Sequence, residues 1–257
     1  MELEGQIAVV LGGAQGIGKA YCEALVAQGV KVVCGDIAVE CGSALESELS
    51  SKYPKDMFQF YKCDVTREGQ IEGVFQATKH LVGDPSIMVF AAGIVDEFDW
   101  QPVIQVNLMA AISATNIALK YMSLEHGGKG GDIVLTSSMA GIRPSIKFPV
   151  YAATKHALVG YSRSLGDEAV VKVSGVRINT ICPVKIDTGF NKAVRPGKVR
   201  VPGYDPAHDA NPLKPGLSAS LVADGLIKLL KDKVTAQALM VTAAEGLSYA
   251  SFMDYPV

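Results

Sequence analysis

Residues 7–18 read IAVVLGGAQGIG, an apolar run followed at once by a glycine-rich stretch. The apolar part has the length of a buried strand, and the glycines permit a tight turn from that strand into a helix. Backbone N–H groups in such a turn can approach a pyrophosphate at the start of the helix. By itself the stretch predicts either a dinucleotide-binding turn or close packing of a strand on a helix, because glycine serves both.

Apolar, β-branched runs of similar length recur along the chain, separated by segments long enough for helices. They lie at 30–34, 58–61, 87–91, 133–136, 176–181 and 239–242. Strands that are apolar on both faces and alternate with helices predict a parallel sheet covered on both sides. We therefore predict an α/β fold, a single doubly wound, Rossmann-type domain over residues 1–257 with about seven strands.

The composition is that of a globular protein with a large core, since 49% of the 257 residues are hydrophobic and 19% are charged. The net charge of −2 leaves no excess of basic residues for holding nucleic acid. No apolar run approaches the roughly 18 residues of a membrane span, and Glu2 and Glu4 stand where a secretory signal carries positive charge. We expect a cytoplasmic protein with no nucleic acid partner and no membrane span.

The cysteines and histidines form no recognisable disulfide or metal pattern. The five cysteines are odd in number and none is arranged as C-x-x-C, so we expect reduced, mostly buried thiols. His80, His126, His156 and His208 lack the spacing of metal ligands. We predict no catalytic metal.

The alternation of strands and helices stops after residue 182. Six prolines lie between 183 and 215, and such a long irregular stretch is more often a lid or binding loop than a plain connection. We expect a Pro-rich substrate lid at about 184–216. Residues 185–200 include five Lys or Arg and one Asp, so the lid either is simply solvated or steers a substrate that carries a carboxylate.

Asp36 stands at the end of the second predicted strand, about 20 residues beyond the glycine loop. Alone it would be interpreted as a solvated turn residue or a helix N-cap. With the loop and the strand order, we interpret it as an acceptor for the adenosine ribose hydroxyls. Because its charge repels a 2′-phosphate and Gln15 supplies no cation, NAD is expected rather than NADP.

Tyr151 and Lys155 lie four residues apart at the start of a predicted helix, and so share one face of it. A phenol titrates near pH 10, so a tyrosine that acts as a base near neutrality needs a fixed cation close by. Lys155 can be that cation, although an exposed Tyr–Lys pair is a common chance arrangement. Ser138 follows the fifth strand, at the sheet edge where ligands bind, and either holds a substrate oxygen or is a turn residue.

Taken in order, these segments resemble the short-chain dehydrogenase/reductase family. The resemblance is carried by GGAQGIG at 12–18, Asp36, CDV at 63–65, VNL at 106–108, TSSMAG at 136–141, YAATK at 151–155 and PVKIDT at 183–188. It spans almost the whole chain and implies oxidation of an alcohol, or reduction of a ketone, with a nicotinamide cofactor. It also implies a homodimer, whose interface would use the apolar helices near 103–121 and 152–165.

The resemblance implies a role for each matching residue. Tyr151 would be the general base, Lys155 would bind the nicotinamide ribose and lower the tyrosine pKa, Ser138 would orient the substrate oxygen, and Asn107 would hold a water that passes the proton outward. Phe148 joins Ser138 and Tyr151 as an expected substrate contact. The expected cofactor contacts are Gly12, Gln15, Gly16, Ile17, Gly18, Asp36, Ile37, Cys63, Asp64, Val65, Ala91, Gly93, Tyr151, Lys155, Pro183, Ile186 and Thr188.

The chain departs from the family pattern at several positions. Leu11 replaces a threonine before the glycine loop, Phe90 and Ala91 replace two asparagines, and Val184 replaces a glycine. The lost side-chain hydrogen bonds, each worth about 1 kcal/mol, predict modest cofactor affinity. Lys147 and Phe148 stand just before Pro149 and Tyr151, where Phe148 puts an aromatic wall in place of a polar contact near the reacting oxygen. This departure weakens the case for a prostaglandin-like substrate and suits a bulky apolar alcohol; the expected substrate is a hydrophobic, possibly carboxylated alcohol such as a hydroxy fatty acid or a prostaglandin-like molecule.

Two alternatives remain, and the changes at Phe90, Ala91 and Val184 motivate the first of them. A chain that retains the fold without useful catalysis would be an NAD(H)-binding sensor or a structural dimer. A carrier of some other ligand would not bind NADH at all. Against both stands the joint presence of Asn107, Ser138, Tyr151 and Lys155.

Overall fold

The computed structural model describes residues 3–187 and 216–252. Within them lies one eight-stranded sheet in the order β3-β2-β1-β4-β5-β6-β7-β8. The strands are β1 Ile7–Leu11, β2 Lys31–Asp36, β3 Phe58–Lys62, β4 Ile87–Phe90, β5 Gly131–Thr136, β6 Val176–Pro183, β7 Ala238–Thr242 and β8 Gly246–Tyr249. All neighbours are parallel except β7 and β8. The predicted doubly wound α/β fold is confirmed.

The helices cover both faces of this sheet. They are α1 Gly16–Ala27, α2 Val39–Lys52, α3 Glu68–Leu81, α4 Trp100–Ile104, α5 Ala110–Met122, α6 Pro149–Leu165, α7 Glu168–Ser174 and α8 Ala219–Asp232. A five-residue π-helix, Gln105–Met109, joins α4 to α5 without a break. Single-turn π segments inside helices often occur at functional sites.

Two apolar layers separate the helices from the sheet. One includes Tyr21 and Leu25 of α1 with Leu226 of α8, and the other includes Phe75 of α3 with Ile117 of α5. The central strands β1 and β4 lie between these layers and consist of apolar residues only, as is typical of parallel strands covered on both sides.

The first helix shows how the sequence fixes an element. The period of Ile17, Ala20, Tyr21, Ala24 and Leu25 predicts one apolar face, and that face is the one turned to the sheet. The helix ends before Gly29, whose φ of +78° is the left-handed conformation that glycine adopts most easily.

The prediction of about seven strands misses one. Gly246–Tyr249 forms an antiparallel edge strand after a tight hairpin from β7. It lacks β-branched residues, and its side chains are only half-buried. Such a strand is held by pairing with its neighbour, which leaves little trace in the sequence.

The helical segment Trp100–Met122 is long and apolar enough, by length and composition, to cross a membrane. Its residues Ala111, Ala114 and Ile117 are buried against the central strands. It also contains the buried polar residues Asn107 and Thr115. These contacts are those of a core helix in this domain.

Candidate active site

The strand order reverses between β1 and β4, because the chain leaves β1 toward β2 and later returns to β4 on the other side. A crevice therefore opens beyond the carboxyl ends of these two strands, where ligands of open α/β sheets bind. The glycine loop follows β1, Ala91 to Gly93 follow β4, and Ser138 follows β5. The sequence-predicted residues are thus gathered at one edge of the sheet.

The glycine loop is shaped by close contacts between backbones. A Cβ atom on Gly12 would collide with the backbone of Ala92, and one on Gly18 would collide with the carbonyl of Gly12. Gly12 and Gly16 also have positive φ angles of +82° and +58°. The loop leads directly into α1, whose first N–H groups receive no hydrogen bond from the side chain of the N-cap residue Gln15. Such N–H groups can bind an anion. Gln15 and Ile17 lie in the same turn.

Asp36, the last residue of β2, ties the glycine loop to the second strand. Its Oδ2 accepts a hydrogen bond from Ala14 N at 2.9 Å, and its Oδ1 accepts one from Ala38 N at 2.9 Å. The side chain is only 7% exposed. The bond to Ala38 N makes Asp36 a turn residue and not a helix N-cap, since the N-cap of α2 is Ala38. The turn role is compatible with cofactor binding, because a carboxylate has about four acceptor positions and these bonds use two. Beside it, Ile37 is exposed.

The segment after β3 lies next to Asp36. Cys63 N donates to the carbonyl of Asp36 at 2.9 Å, and Cys63 and Val65 are buried. Burial raises the pKa of the Cys63 thiol to about 12, so this thiol is unreactive near neutrality. Hydrogen bonds from the Thr66 side chain and backbone lower the pKa of Asp64.

Ser138 and Tyr151 meet at the catalytic end of the crevice. The Ser138 hydroxyl begins a short 3-10 helix, where it accepts a hydrogen bond from Ala140 N at 3.1 Å. Burial raises the pKa of the Tyr151 phenol to about 12, and a hydrogen bond with Ser138 acts against that rise. In the protein alone, burial therefore outweighs the lowering of the tyrosine pKa that the family resemblance implies for Lys155.

Lys155 lies one turn along α6 from Tyr151, as the spacing predicts. Its Nζ donates to the carbonyl of Thr136 at 2.7 Å and is 5.5 Å from the centre of the Tyr151 ring. Only 3% of the residue is exposed. Burial lowers the pKa of this lysine to about 8.

Asn107 lies in the π-helix and is completely buried. Its Oδ1 accepts from Ile94 N at 2.8 Å, and its Nδ2 donates to Ile94 O at 2.9 Å. A Cβ atom built on Gly93 would be 3.5 Å from Asn107 Oδ1 and 3.6 Å from Lys155 Nζ. The amide of Asn107, the backbone at Gly93 and the ammonium of Lys155 are therefore neighbours.

The remaining predicted contacts are at the rim. Phe148 packs edge-on against Tyr151, with ring centres 6.5 Å apart. Pro183 ends β6, and Ile186 forms a single parallel bridge with Leu217. Thr188 and most of the predicted lid, residues 188–215, lie outside the described residues.

Glu97 is a site residue that the sequence analysis missed. It is fully buried, and its carboxylate accepts hydrogen bonds from Val150 N at 2.8 Å and Tyr151 N at 3.0 Å. Its only sequence signal is an acidic residue in the loop after β4, and such residues are usually solvated. The partner amides are more than fifty positions away.

Comparison with known proteins agrees with this arrangement. A family model described as short chain dehydrogenase matches residues 6–199. The chain belongs to the short-chain dehydrogenase family. It is 35% identical to bovine (Bos taurus) 15-hydroxyprostaglandin dehydrogenase [NAD(+)] over 261 residues, which covers 100% of this chain and 98% of the relative. It is 34% identical to the human (Homo sapiens) enzyme of that name over 260 residues, with the same coverage.

A solved structure is similar as well. The crystal structure of an actinorhodin polyketide ketoreductase variant with NADPH has a TM-score of 0.82 and 26% identity, and the match covers 93% of this chain and 96% of that chain. The predicted family, the enzyme class of alcohol dehydrogenase and the use of a nicotinamide cofactor are confirmed. So is the particular likeness to 15-hydroxyprostaglandin dehydrogenase, which the sequence shows at 121–131, 149–156 and 174–183.

Within 3–187 and 216–252, no group of three or more His, Cys, Asp or Glu side chains is arranged to hold a metal ion. The cysteines in these ranges are all free thiols, and only Cys41 is exposed. None of these groups competes with the crevice as a candidate site.

Proposed function

We propose that the protein oxidises a secondary alcohol on a hydrophobic molecule to a ketone, with NAD+ as hydride acceptor and Tyr151 as general base. The observation that carries this proposal is the arrangement around one phenol. The Ser138 hydroxyl and the Lys155 ammonium both lie beside Tyr151, at the sheet edge that also presents the glycine loop. These are the groups that alcohol oxidation requires: a hydrogen-bond donor to the substrate oxygen, a general base and a fixed cation.

In the proposed reaction, Ser138 donates a hydrogen bond to the alcohol oxygen and Tyr151, as phenolate, removes the hydroxyl proton. The electron pair of the carbinol C–H bond leaves as hydride, and a C=O bond forms. Bound NAD+ supplies the hydride acceptor. The reverse reaction would use the same groups, with Tyr151 donating the proton to the ketone oxygen.

The pKa of Tyr151 explains why this chemistry needs the complete site. Burial holds that pKa at about 12, so the phenol of the protein alone is neutral at pH 7. A cationic nicotinamide near the phenol, added to the Lys155 ammonium, would favour the phenolate. We therefore expect the base to form only after the oxidised cofactor has bound.

The crevice fits an extended dinucleotide. Gly12 and Gly18 leave no room for side chains at the loop, which brings the backbone N–H groups to the surface. Asp36 keeps unused acceptor positions for ribose hydroxyls, and its charge opposes a 2′-phosphate. The relatives whose names state NAD(+) support the same choice over NADP.

Asn107 and Gly93 would form the route by which the proton leaves. The Asn107 amide oxygen accepts one hydrogen bond from Ile94 N, and an amide oxygen has two lone pairs. The second can hold a water between Asn107 and Lys155, whose ammonium is close by. This would connect Tyr151 to solvent without exposing the base itself.

For the substrate, we propose a hydroxylated lipid of the hydroxy fatty acid or prostaglandin type, with or without a carboxylate. Phe148 presents an aromatic edge next to Tyr151, which favours an apolar carbon chain near the reacting carbon. The relatives named 15-hydroxyprostaglandin dehydrogenase support this class.

We also propose a cytoplasmic homodimer. An apolar groove of about 360 Å³ lies between α4 and α6, lined by Trp100, Ile104, Leu108, Pro149, Val150, Ala153 and Thr154. Trp100, which lines this groove, is 41% exposed, and Met109 of the adjoining π-helix is 58% exposed. A second copy packed across these helices would cover this surface.

The test is NADH formation by the purified protein with NAD+ and a panel of hydroxy fatty acids, prostaglandins, steroids and simple secondary alcohols. Tyr151→Phe should lose about 10²–10⁴-fold in kcat, the usual contribution of a positioned base, and should still bind NADH. Tyr161→Phe is the matched control, because it removes a phenol hydroxyl from the same helix but outside the crevice.

Three results would count against the proposal. Equal activity of Tyr151→Phe and the wild type would reject Tyr151 as the base. NADH binding without turnover of any alcohol would support the non-catalytic sensor. Absence of NADH binding would support the carrier of another ligand.

A further inference from the structure

Glu97 makes an unusual connection for a buried acidic side chain. It is 0% exposed, and its two carboxylate oxygens accept the N–H groups of Val150 and Tyr151, the second and third residues of α6. A buried carboxylate is costly unless its oxygens are hydrogen-bonded. Here one of the two bonds goes to the backbone of the proposed base, and the other to the residue before it.

These bonds take the place of the usual N-cap of a helix. The first N–H groups of an α-helix lack partners within the helix and are normally satisfied by a side chain just before it. Phe148, which precedes α6, makes no such bond, and Pro149 has no N–H. Glu97 therefore caps α6 from a loop that is distant in sequence.

The same loop is connected to α6 a second time. Asn107 holds the backbone of Ile94 through two hydrogen bonds, and its Nδ2 also donates to Thr154 Oγ1 at 3.3 Å. Thr154 is one turn further along α6 than Tyr151. The loop after β4, which includes Gly93 at the cofactor edge, is thus attached to both turns of α6 that carry Tyr151 and Lys155.

We propose that Glu97 is a positioning residue for the reaction. By holding the first turn of α6 to the loop after β4, it sets the depth of the Tyr151 phenol relative to Ser138 and to the nicotinamide. It does not touch substrate or cofactor, and its effect reaches the chemistry only through the Tyr151 backbone. A misplacement of about 1 Å at a reacting group can cost about 10²-fold in rate. The inference rests on the proposed dehydrogenase function.

The experiment compares Glu97→Gln with Glu46→Gln. Glu46 is a matched control because its Oε1 accepts a hydrogen bond from Phe60 N at 3.0 Å, in a half-buried position on the far side of β2. Both variants remove a charge and weaken a bond to a backbone amide. Only Glu97→Gln also places an NH2 group against an N–H of α6.

We expect Glu97→Gln to lower kcat by about 10- to 100-fold, while Glu46→Gln stays within twofold of the wild type. The KM for NAD+ and the Kd for NADH should stay within twofold in both variants. The pH at which kcat reaches half its maximum should not move, because the role is geometric. Equal kcat for the two variants, or a fall in Glu97→Gln explained by loss of NADH binding, would overturn the proposal.

A measurement on the wild-type protein keeps the proposal testable even if the Glu97→Gln variant does not fold. NMR-detected hydrogen exchange should show slow exchange of the Val150 and Tyr151 amides, which would otherwise be unpaired at a helix start. Fast exchange at both would overturn the proposal. If the wild type showed this protection but oxidised no alcohol, the dehydrogenase proposal would fail and the Glu97 contact would stand as structural only, which also rejects its catalytic positioning role.

Discussion

The cofactor side and the catalytic side of the crevice are built in different ways. On the cofactor side, apart from the Asp36 carboxylate, backbones bond to each other: Gly12 N donates to Gly35 O at 2.7 Å, and Ala91 N donates to Leu11 O at 2.7 Å. On the catalytic side, buried polar side chains make the connections, notably those of Asn107 and Lys155. The cofactor side keeps its shape because its glycines lack side chains, whereas the catalytic side keeps its shape through polar side-chain atoms.

This difference explains how the chain tolerates its departures from the family pattern. Leu11, Phe90 and Ala91 lack polar side chains, yet the ends of β1 and β4 remain joined through the backbone groups of Leu11, Ala91 and Ala92. A substitution on the cofactor side should therefore do harm mainly when it adds atoms. On the catalytic side, it should do harm when it removes a hydrogen-bonding group.

The largest effect on cofactor binding is expected for Gly18→Ala, which adds one methyl group to the cofactor side. The new Cβ would collide with the Gly12 carbonyl, and a backbone atom cannot move aside as a flexible side chain can. Overpacking of this kind usually costs about 1–3 kcal/mol and displaces the backbone. We expect NADH affinity, measured by fluorescence titration, to fall about 100-fold, since a 2.8 kcal/mol loss corresponds to about two powers of ten.

Gly73→Ala is the control for this substitution. Gly73 lies on the exposed face of α3, and a Cβ there meets nothing within 4 Å. Alanine favours a helix interior over glycine by about 1 kcal/mol, so this variant should bind NADH normally and melt slightly higher. Unchanged NADH affinity in Gly18→Ala would show that the loop does not approach the cofactor as closely as proposed.

A smaller effect is expected for Asp36→Asn, which keeps the shape of the side chain and removes its charge. The amide oxygen can still accept from Ala14 N or Ala38 N, so the loop should stay folded. Without the negative charge, the penalty for a 2′-phosphate falls. The ratio of kcat/KM for NAD+ to that for NADP+ should drop by about 10-fold, which corresponds to about 1.4 kcal/mol. A ratio unchanged within twofold would reject Asp36 as the discriminating residue.

Most of the fold could be predicted because most of its elements are determined by residues that are close in sequence. The glycine turn, the period of α1 and the buried β-branched strands each depend on residues that are close in sequence. The edge strand Gly246–Tyr249 could not be predicted in this way, because it exists through pairing with β7 rather than through its own residues.

The same distinction between local and long-range contacts separates the site residues that could be predicted from those that could not. Tyr151 and Lys155 are one turn apart on a helix, so their proximity can be predicted from spacing. Glu97 and Val150 meet only after folding, and no periodic pattern relates them. The raised pKa of Tyr151 likewise depends on burial by several elements together, which the sequence around the tyrosine does not report.

On the catalytic side, a change is expected in the stability of the protein without cofactor. Lys155 has a pKa lowered from 10.5 to about 8 by burial, so its charge is held at a cost to folding. Lys155→Met removes that charge from a buried position and should raise the free energy of unfolding at pH 7 by roughly 2 kcal/mol, the lost Thr136 bond included. In a domain of this size, the melting temperature should rise by about 4–8 °C.

The lowered pKa of Lys155 also predicts how the stability of the wild-type protein changes with pH. Between pH 8 and 10.5 the unfolded chain still binds the lysine proton and the folded protein does not, so wild-type stability should rise with pH through that window. The variant lacks this rise, so its advantage in stability should shrink as the pH rises, vanish within that window and reverse by pH 10.5, where the lost Thr136 bond distinguishes the two proteins. Lys120→Met, which removes an exposed charge from α5, controls for the change in net charge. A lower melting temperature for Lys155→Met at pH 7 would mean that the bond to Thr136 stabilises the fold more than burial of the charge destabilises it. The polar contacts of the catalytic side would then stabilise the folded protein as well as position its groups.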